Sequence, residues 1–323
     1  MAAWPLHALA QLMRGGVEAQ QGMLPIVGCL AAPAEATYTH NVAAVRQGLK
    51  EAGFIEGQNV GLEFRWAEGQ YDRLPSLAVD LVRRKVNVII TMGGTPPVQA
   101  ARIATSTIPI VFHLGADPVR LGLIASLNRP GGNITGVTLM TNSMEPKRLE
   151  LLREMVPSAK LIGVLANPAN QQNAVQVHQL EEAARAAKVK LVTINASNVE
   201  QLEAGYRSMI ENHVNALTVL SDVFFTSNSL HIAALSERHR IPAIAHSREF
   251  VVAGGLMSYG TDLTDAYRLA GIYAGRILKG ESPADLPVIE PTRFEFLINM
   301  RTATSLNLTV PPILLAFVDE VIE

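Results

Sequence analysis

The chain has 323 residues, more than a single growing hydrophobic core ordinarily serves, so two domains are expected. Apolar residues make up 48% of it and aromatic residues 5%, which calls for a layered α/β interior of Ala, Val, Ile and Leu and points away from an all-β module. The 27 basic and 29 acidic residues leave a net charge of -2, and no basic run gathers the charge that phosphate neutralisation needs, so nucleic acid is not an expected partner.

Residues 1 to 24 stand apart from the rest. Ala2 to Leu12 are small and apolar, and Ala8-Leu9-Ala10 before Gln11 fits the A-x-A cleavage pattern of a secretory signal, although a basic start is missing. The segment reads as the last part of an export signal, with a disordered tail as the alternative. Ile26-Val27-Gly28-Cys29 matches a lipoprotein processing box in form, but it continues as a buried strand. Cys29, the one cysteine, excludes an intramolecular disulfide. No stretch reaches the ~20 apolar residues of a membrane helix.

From residue 25 onward, Val- and Ile-rich runs alternate with amphipathic segments, the pattern of strands joined through helices into parallel sheets. Strands are predicted at 25–31, 59–65, 86–92, 108–113, 134–139, 160–166, 189–194, 215–220, 242–246 and 255–259, with helices in most gaps. In the helix from Glu145, Leu149, Leu152 and Val156 share one face. The halves also resemble one another. Ile26 to Pro33 matches Leu161 to Pro168, Val86-Asn87-Val88-Ile89 matches Val214-Asn215-Ala216-Leu217, and Ile108 to His113 matches Ile241 to His246.

Two similar Rossmann-like lobes follow, and open parallel sheets bind ligands at the carboxyl ends of their strands. Facing loops would be Ala32 to Tyr38 with Asn167 to Asn173, Gly93 to Thr95 with Ser221 and Asp222, and Gly115 to Asp117 with Ser247 to Glu249. Gly93-Gly94-Thr95-Pro96-Pro97 combines close backbone approach with a helix start, Thr95 as N-cap and Pro96 at the first position, suited to a carboxylate. Asp222 ends the apolar run 217–220 and is expected to accept a ligand ammonium, with helix capping as the alternative. Amides at Asn167, Asn170 and Asn173 could orient polar atoms or serve turns. Asp117 before Pro118 competes with a turn start. The candidate ligand-binding set is Tyr38, Gly94, Thr95, Asp117, Asn167, Asn173, Asp222, Phe224, Ser247 and Glu249, with Tyr38, Phe224 or Phe250 offering ring faces. His178 and Glu182, four apart, read as a solvated helix face rather than metal ligands. No catalytic set, cofactor loop or metal site is expected.

The chain resembles the ABC transporter substrate-binding proteins of the tryptophan/tyrosine type over residues 25 to 323. The residues that carry the resemblance include Gly53-Phe54-Ile55-Glu56-Gly57-Gln58-Asn59, Tyr71-Asp72-Arg73-Leu74-Pro75, Thr107-Ile108-Pro109-Ile110-Val111-Phe112, Asp117-Pro118-Val119, Arg129-Pro130-Gly131-Gly132-Asn133, Lys147-Arg148-Leu149-Glu150-Leu151-Leu152, Asn167-Pro168-Ala169-Asn170 and Gly254-Gly255-Leu256-Met257-Ser258-Tyr259-Gly260. The resemblance implies a type I periplasmic-binding fold, with interlobe crossings near 135–139, 256–261 and 295–300. The N-terminal lobe would comprise 25–136 plus 260–293, and the C-terminal lobe 137–259 plus 294–323. It further implies a periplasmic or extracytoplasmic receptor that captures a small organic ligand by hinge closure and delivers it to an ABC permease. The ligand expected is an amino acid with an apolar or aromatic side chain. His113-Leu114 depart from the small residues usual at that loop, and Phe224-Phe225 could be core or stacking surface. A sensory or regulatory ligand-binding protein of the same fold is the alternative function, and a Rossmann-like enzyme a more distant one.

Overall fold

The computed structural model describes residues 24–139, 143–290 and 294–323; the export-signal reading of residues 1–24 therefore falls almost wholly outside the described residues. The first half contains β1 (Ile26–Ala31), α1 (Thr39–Glu51), β2 (Gly61–Trp66), α2 (Leu74–Arg83), β3 (Val88–Met92), α3 (Thr95–Ala104), β4 (Ile110–Leu114) and β5 (Ile134–Thr138). The second contains α4 (Glu145–Met155), β6 (Leu161–Ala166), α5 (Gln171–Ala187), β7 (Lys190–Asn195), α6 (Val199–Glu211), β8 (Ala216–Val219), α7 (Val223–Ser227), α8 (Ser229–Arg238), β9 (Ala243–Ala245), α9 (Arg248–Val252) and β10 (Met257–Thr261). The chain closes with α10 (Leu263–Leu278), β11 (Phe294–Asn299), α11 (Met300–Ser305), α12 (Pro312–Phe317) and β12 (Glu320–Ile322).

All ten predicted strands form, and they distribute between two sheets of the same order. One runs β2-β1-β3-β4-β5 and the other β12-β11-β10-β9-β8-β6-β7. Strip β11 and β12 from the second, and β7-β6-β8-β9-β10 repeats β2-β1-β3-β4-β5 strand for strand. The sequence repeats thus occupy equivalent places: β1 with β6, β3 with β8, β4 with β9. The additions depart from an all-parallel reading. Residues 294–299, expected only as a crossing, form a strand antiparallel to β10 (Met257 opposite Ile298, Thr261 opposite Phe294), and β12 adds parallel to β11. The reason is geometric: the chain leaves this sheet at the carboxyl end of β10 and re-enters it at that same end.

Each sheet is covered on both faces. Along β1, Val27, Cys29 and Ala31 face α1 and α10, while Leu30 faces α2 and α3, the period-two alternation of a strand buried on both sides. Cys29 is fully buried there, and burial pushes its thiol up to about 12. In the second sheet α4 and α5 cover one face and α6, α8 and α9 the other. Leu149 and Leu152 of α4 enter that core as their spacing predicts, with Val156 buried at the helix end.

The segment after β10 returns to the first sheet. α10 lies against α1, and Ile289 exchanges backbone hydrogen bonds with β5, donating to Gly136 O at 3.0 Å and accepting from Thr138 N at 2.9 Å. The helices meet at glycines: a Cβ on Gly48 would stand 1.9 Å from Arg268 O, and one on Gly271 2.3 Å from Val45 O. Close beside the crossings, the buried Arg148 guanidinium donates to Glu145 and, at 2.9 Å, to Tyr259 O of β10. We expect Gly48→Ala to push α10 off α1 and destabilise the protein by about 1–3 kcal/mol or more, measured by urea denaturation; an unchanged midpoint would show that the α1–α10 seam is looser than this packing implies.

Candidate functional site

The strand order places a switch point between β1 and β3, and another between β6 and β8, where neighbouring connections leave to opposite faces and a crevice opens at the strand ends. The two crevices face each other. Their shared cavity is lined by Tyr38, Gly93, Gly94, Thr95, His113 and Gly115 from the first half and by Asn170, Ser221, Asp222, Val223, Thr226 and His246 from the second, with Leu139 and Leu263 at the crossings. Its volume is about 70 Å³, well short of the roughly 300–1,000 Å³ of small-molecule sites, so the cleft is nearly filled with the lobes in this position.

Asp222 organises the second half's wall. It follows β8, is 5% exposed, and its two carboxylate oxygens accept four hydrogen bonds. Oδ1 accepts from Asn167 Nδ2 and from Phe224 N, both at 2.9 Å. Oδ2 accepts from Asn170 Nδ2 at 2.9 Å and from Tyr71 Oη at 3.0 Å. Desolvation by burial raises its pKa, opposed by these donors. Three of the four belong to its own lobe, and the bond to Phe224 N caps α7, so the capping alternative weighed for Asp222 is realised. Asn173 stands behind, accepting from Asn167 N at 2.7 Å and donating to Ser221 O at 3.1 Å. Asn167 and Asn173 therefore buttress the wall without lining the cavity, whereas Asn170 lines it.

The opposite wall is a helix start. Gly93 and Gly94 have φ of 92° and 87°, the left-handed region that glycine enters without Cβ strain. Gly94, not Thr95, is the N-cap of α3; Thr95 is the first helical residue and makes no side-chain cap bond. The left-handed glycine turns the chain into the helix one residue earlier than the Thr-Pro pattern suggests. Tyr38 packs edge-on against Tyr267 with ring centroids 5.8 Å apart, and Gly93 N donates to Tyr267 Oη at 3.1 Å. The lobes touch directly: besides the Tyr71–Asp222 bond, Thr37 Oγ1 lies 3.4 Å from Ser227 Oγ, and Val223 packs into the first lobe's core.

Besides Asn167 and Asn173, four more of the expected residues lie off this cavity. Asp117 accepts from Val119 N and Arg120 N at 2.8 and 3.2 Å, the turn its Asp-Pro context allowed, and lines a neighbouring cavity with Arg120, Gln172 and Gln179. Phe224 packs on Phe225 and the α6–α8 core. Ser247 lines a small cavity behind His246 with Phe225 and Phe250, and Glu249 is exposed in the first turn of α9. Phe250 is core. His178 and Glu182 form an exposed pair at 3.5 Å, and no cluster of metal-ligating residues occurs among the described residues.

Four residues at the cleft were not singled out as binding residues by sequence reasoning: Tyr71, Tyr267, His113 and His246. Tyr71 sits in a short 3-10 turn, Tyr71–Arg73, and Tyr267 reaches the strand ends from α10, more than 150 residues after β3. The histidines had one signal, their shared place in the repeat. Burial pushes His113 down to about 4, and burial with the nearby Arg148 charge pushes His246 down to about 3. Both are depressed from an ordinary histidine near 6.5, so the stability they carry is fully present above about pH 6.5 and is lost as pH falls through that value toward 4. Between pH 7.5 and 5 we expect a loss on the order of 1–2 kcal/mol per histidine, and a flatter urea-midpoint profile in a His113→Phe, His246→Phe double variant. An equally steep profile in that variant would assign the slope to other groups.

A family model for ABC transporter substrate binding protein matches residues 33–322. The tyrosine-binding protein of Clostridioides difficile (strain R20291) is 30% identical over 262 residues, covering 81% of this chain and 75% of that protein. A conserved domain protein from Vibrio cholerae superposes with a TM-score of 0.84 at 27% identity, over 92% of this chain and 99% of that one. An ABC domain from Streptococcus pneumoniae in complex with L-Trp gives 0.83 at 24% identity, over 93% and 100%. The family match takes in every strand from β2 to β12, and the fold is that of type I periplasmic-binding proteins: the chain belongs to the ABC transporter substrate-binding protein family.

Proposed function

We propose that this chain is the extracytoplasmic receptor of an ABC importer and that it captures a free aromatic amino acid between its lobes. The observation that carries the reading is the pairing, across one cavity, of the α3 start at Gly94–Thr95 with the buried Asp222 carboxylate. A zwitterion needs both: backbone N–H groups and a helix dipole for its carboxylate, and an anionic acceptor for its ammonium. Tyr38 presents an aromatic surface beside them. The tyrosine-binding protein of Clostridioides difficile, 30% identical, supports an aromatic side chain.

Asp222 already accepts four bonds, so an incoming ammonium must replace a donor. Tyr71 is the one donor supplied by the opposite lobe. Exchange of the Tyr71 hydroxyl for the ligand's ammonium would leave Asn167, Asn170 and Phe224 N in place, and the lobes, divided as 25–136 plus 260–293 and 137–259 plus 294–323, would then close on ligand instead of on each other. Binding and delivery to a permease require no reaction.

In a thermal-shift panel of L-tyrosine, L-tryptophan, L-phenylalanine, sugars and purines, the aromatic amino acids should raise the melting temperature. A micromolar dissociation constant corresponds to about 4 kcal/mol of stabilisation at millimolar ligand. A response confined to sugars or purines would refute the amino-acid reading. The Tyr71→Phe variant, which deletes the cross-lobe bond, should show a larger radius of gyration in solution scattering without ligand and contract to the wild-type value with it. Identical radii in both proteins at all ligand concentrations would count against lobe motion.

A further inference from the structure

The same position of each half carries a histidine at the cleft. His113 lies in β4 and His246 directly follows β9, and both line the cavity. His113 is 5% exposed, its ring lies over Tyr267 with centroids 4.1 Å apart and planes at 29°, and beyond its own main chain neither ring nitrogen has a hydrogen-bond partner among the described residues. Nδ1 of His246 is likewise buried and unpartnered, while its Nε2 has a 3.4 Å contact with Thr226 Oγ1. The Ser221 hydroxyl, at the end of β8, is a third unpartnered group on the same cavity. Burying a polar group without a partner costs about as much as a lost hydrogen bond, so such groups are satisfied in some state of a protein. Elsewhere on this wall that rule is kept: Asp222, Asn167 and Asn173 are all bonded.

We infer that His113, with His246 and Ser221, determines specificity by hydrogen-bonding an uncharged polar group on the ligand's ring, so that the cleft selects a hydroxylated ring over an unsubstituted one. The inference rests on the aromatic amino-acid reading above and names the ring chemistry within that class. Three features favour the ring substituent over the ligand's charged ends. Those ends have partners elsewhere, at Gly94–Thr95 and at Asp222. Burial keeps both imidazoles neutral near pH 7, and a neutral imidazole offers one donor and one acceptor, the complement of a hydroxyl that can accept and donate. One face of the His113 ring is covered by Tyr267, which fixes the ring so that its nitrogen-bearing edge reads position as well as polarity. A phenyl ring would leave the three groups unpaired, and a site built to bond a hydroxyl rejects the analogue without it for that reason.

Isothermal titration with L-tyrosine and L-phenylalanine on wild type, His113→Phe and His113→Gln decides the matter. Wild type should prefer L-tyrosine by at least tenfold, as expected when a buried partner is left unsatisfied, about 10- to 100-fold. His113→Phe keeps a ring over Tyr267 but removes both nitrogens; its preference should fall below about threefold, through loss of L-tyrosine affinity with L-phenylalanine binding retained. His113→Gln, which keeps a donor and an acceptor, should hold an intermediate preference. Equal wild-type affinities for the two amino acids, or a folded His113→Phe or His113→Gln variant with the full wild-type preference, would overturn the assignment while leaving the aromatic amino-acid reading intact. Failure of the wild type to bind L-tyrosine, L-phenylalanine and L-tryptophan alike would overturn both.

Discussion

A carboxylate removed from water must be surrounded by donors, and the second lobe's half of the cleft is arranged around that requirement at Asp222. Loss of solvation disfavours the charge; the amides of Asn167 and Asn170, the Phe224 N–H and the Tyr71 hydroxyl restore hydrogen bonds to it. The loop after β6 is therefore tied to the loop after β8, the start of α7 is capped, and Asn173 holds Asn167 from behind. The cleft wall is rigid for the same reason that it is charged. Because the fourth donor comes from the other lobe, this one group also bears on how far apart the lobes stand.

That coupling draws on the repeated architecture. Two sheets that share one order over five strands each open a crevice beside their first strand, and loops at equivalent places follow β1 and β6, β3 and β8, and β4 and β9. The halves have diverged in what they put there. After β3 the first half has two glycines and a helix start that offers N–H groups; after β8 the second has Ser221 and a carboxylate. Opposite polarity at equivalent positions suits a ligand carrying both charges, whereas equal polarity would suit an ion. The histidines, His113 and His246, keep the same chemistry on both sides.

Much of this was legible in the residue pattern. Most of the ten strands of the repeats are rich in Val, Ile or Leu with turn residues between, and the repeat itself predicts which loops oppose one another. β11 and β12 were not read as strands because Phe294 to Asn299 contains Glu295 and Asn299 within a run already accounted for as a crossing, and a three-residue strand carries no period. At the site, local chemistry misled by small displacements. Thr95-Pro96 has the form of a cap, but the preceding left-handed glycine takes that role. Asp117-Pro118 and Asp222 are both acidic residues at loop starts, and only tertiary burial separates the one that makes a turn from the one that forms a wall. Tyr267 reaches the cleft from α10 and Tyr71 from the turn before α2, so no spacing near β1 or β3 announces them. His113 and His246 look, in a line of letters, like strand-end residues; their unpartnered nitrogens are visible only when the whole cavity is assembled.

The lobe contacts seen here bear on what a ligand must supply. Tyr71, Thr37 and Val223 already join the halves, so closure of the kind proposed would not start from solvated surfaces, and the ligand's contribution would be the difference between its own contacts and those it displaces. Against Asp222 that difference would be small on the proposed reading, since one charge-assisted hydrogen bond would replace another. At His113, His246 and Ser221 the proposed contact would make it larger, because nothing would be displaced and three buried groups would gain partners they lack. The free energy that distinguishes one ligand from another should therefore come less from the charged ends, which every amino acid shares, than from the neutral polar groups deep in the cleft. A receptor built this way uses its strongest electrostatic contacts to recognise the class of molecule and its desolvated, uncharged ones to choose within that class.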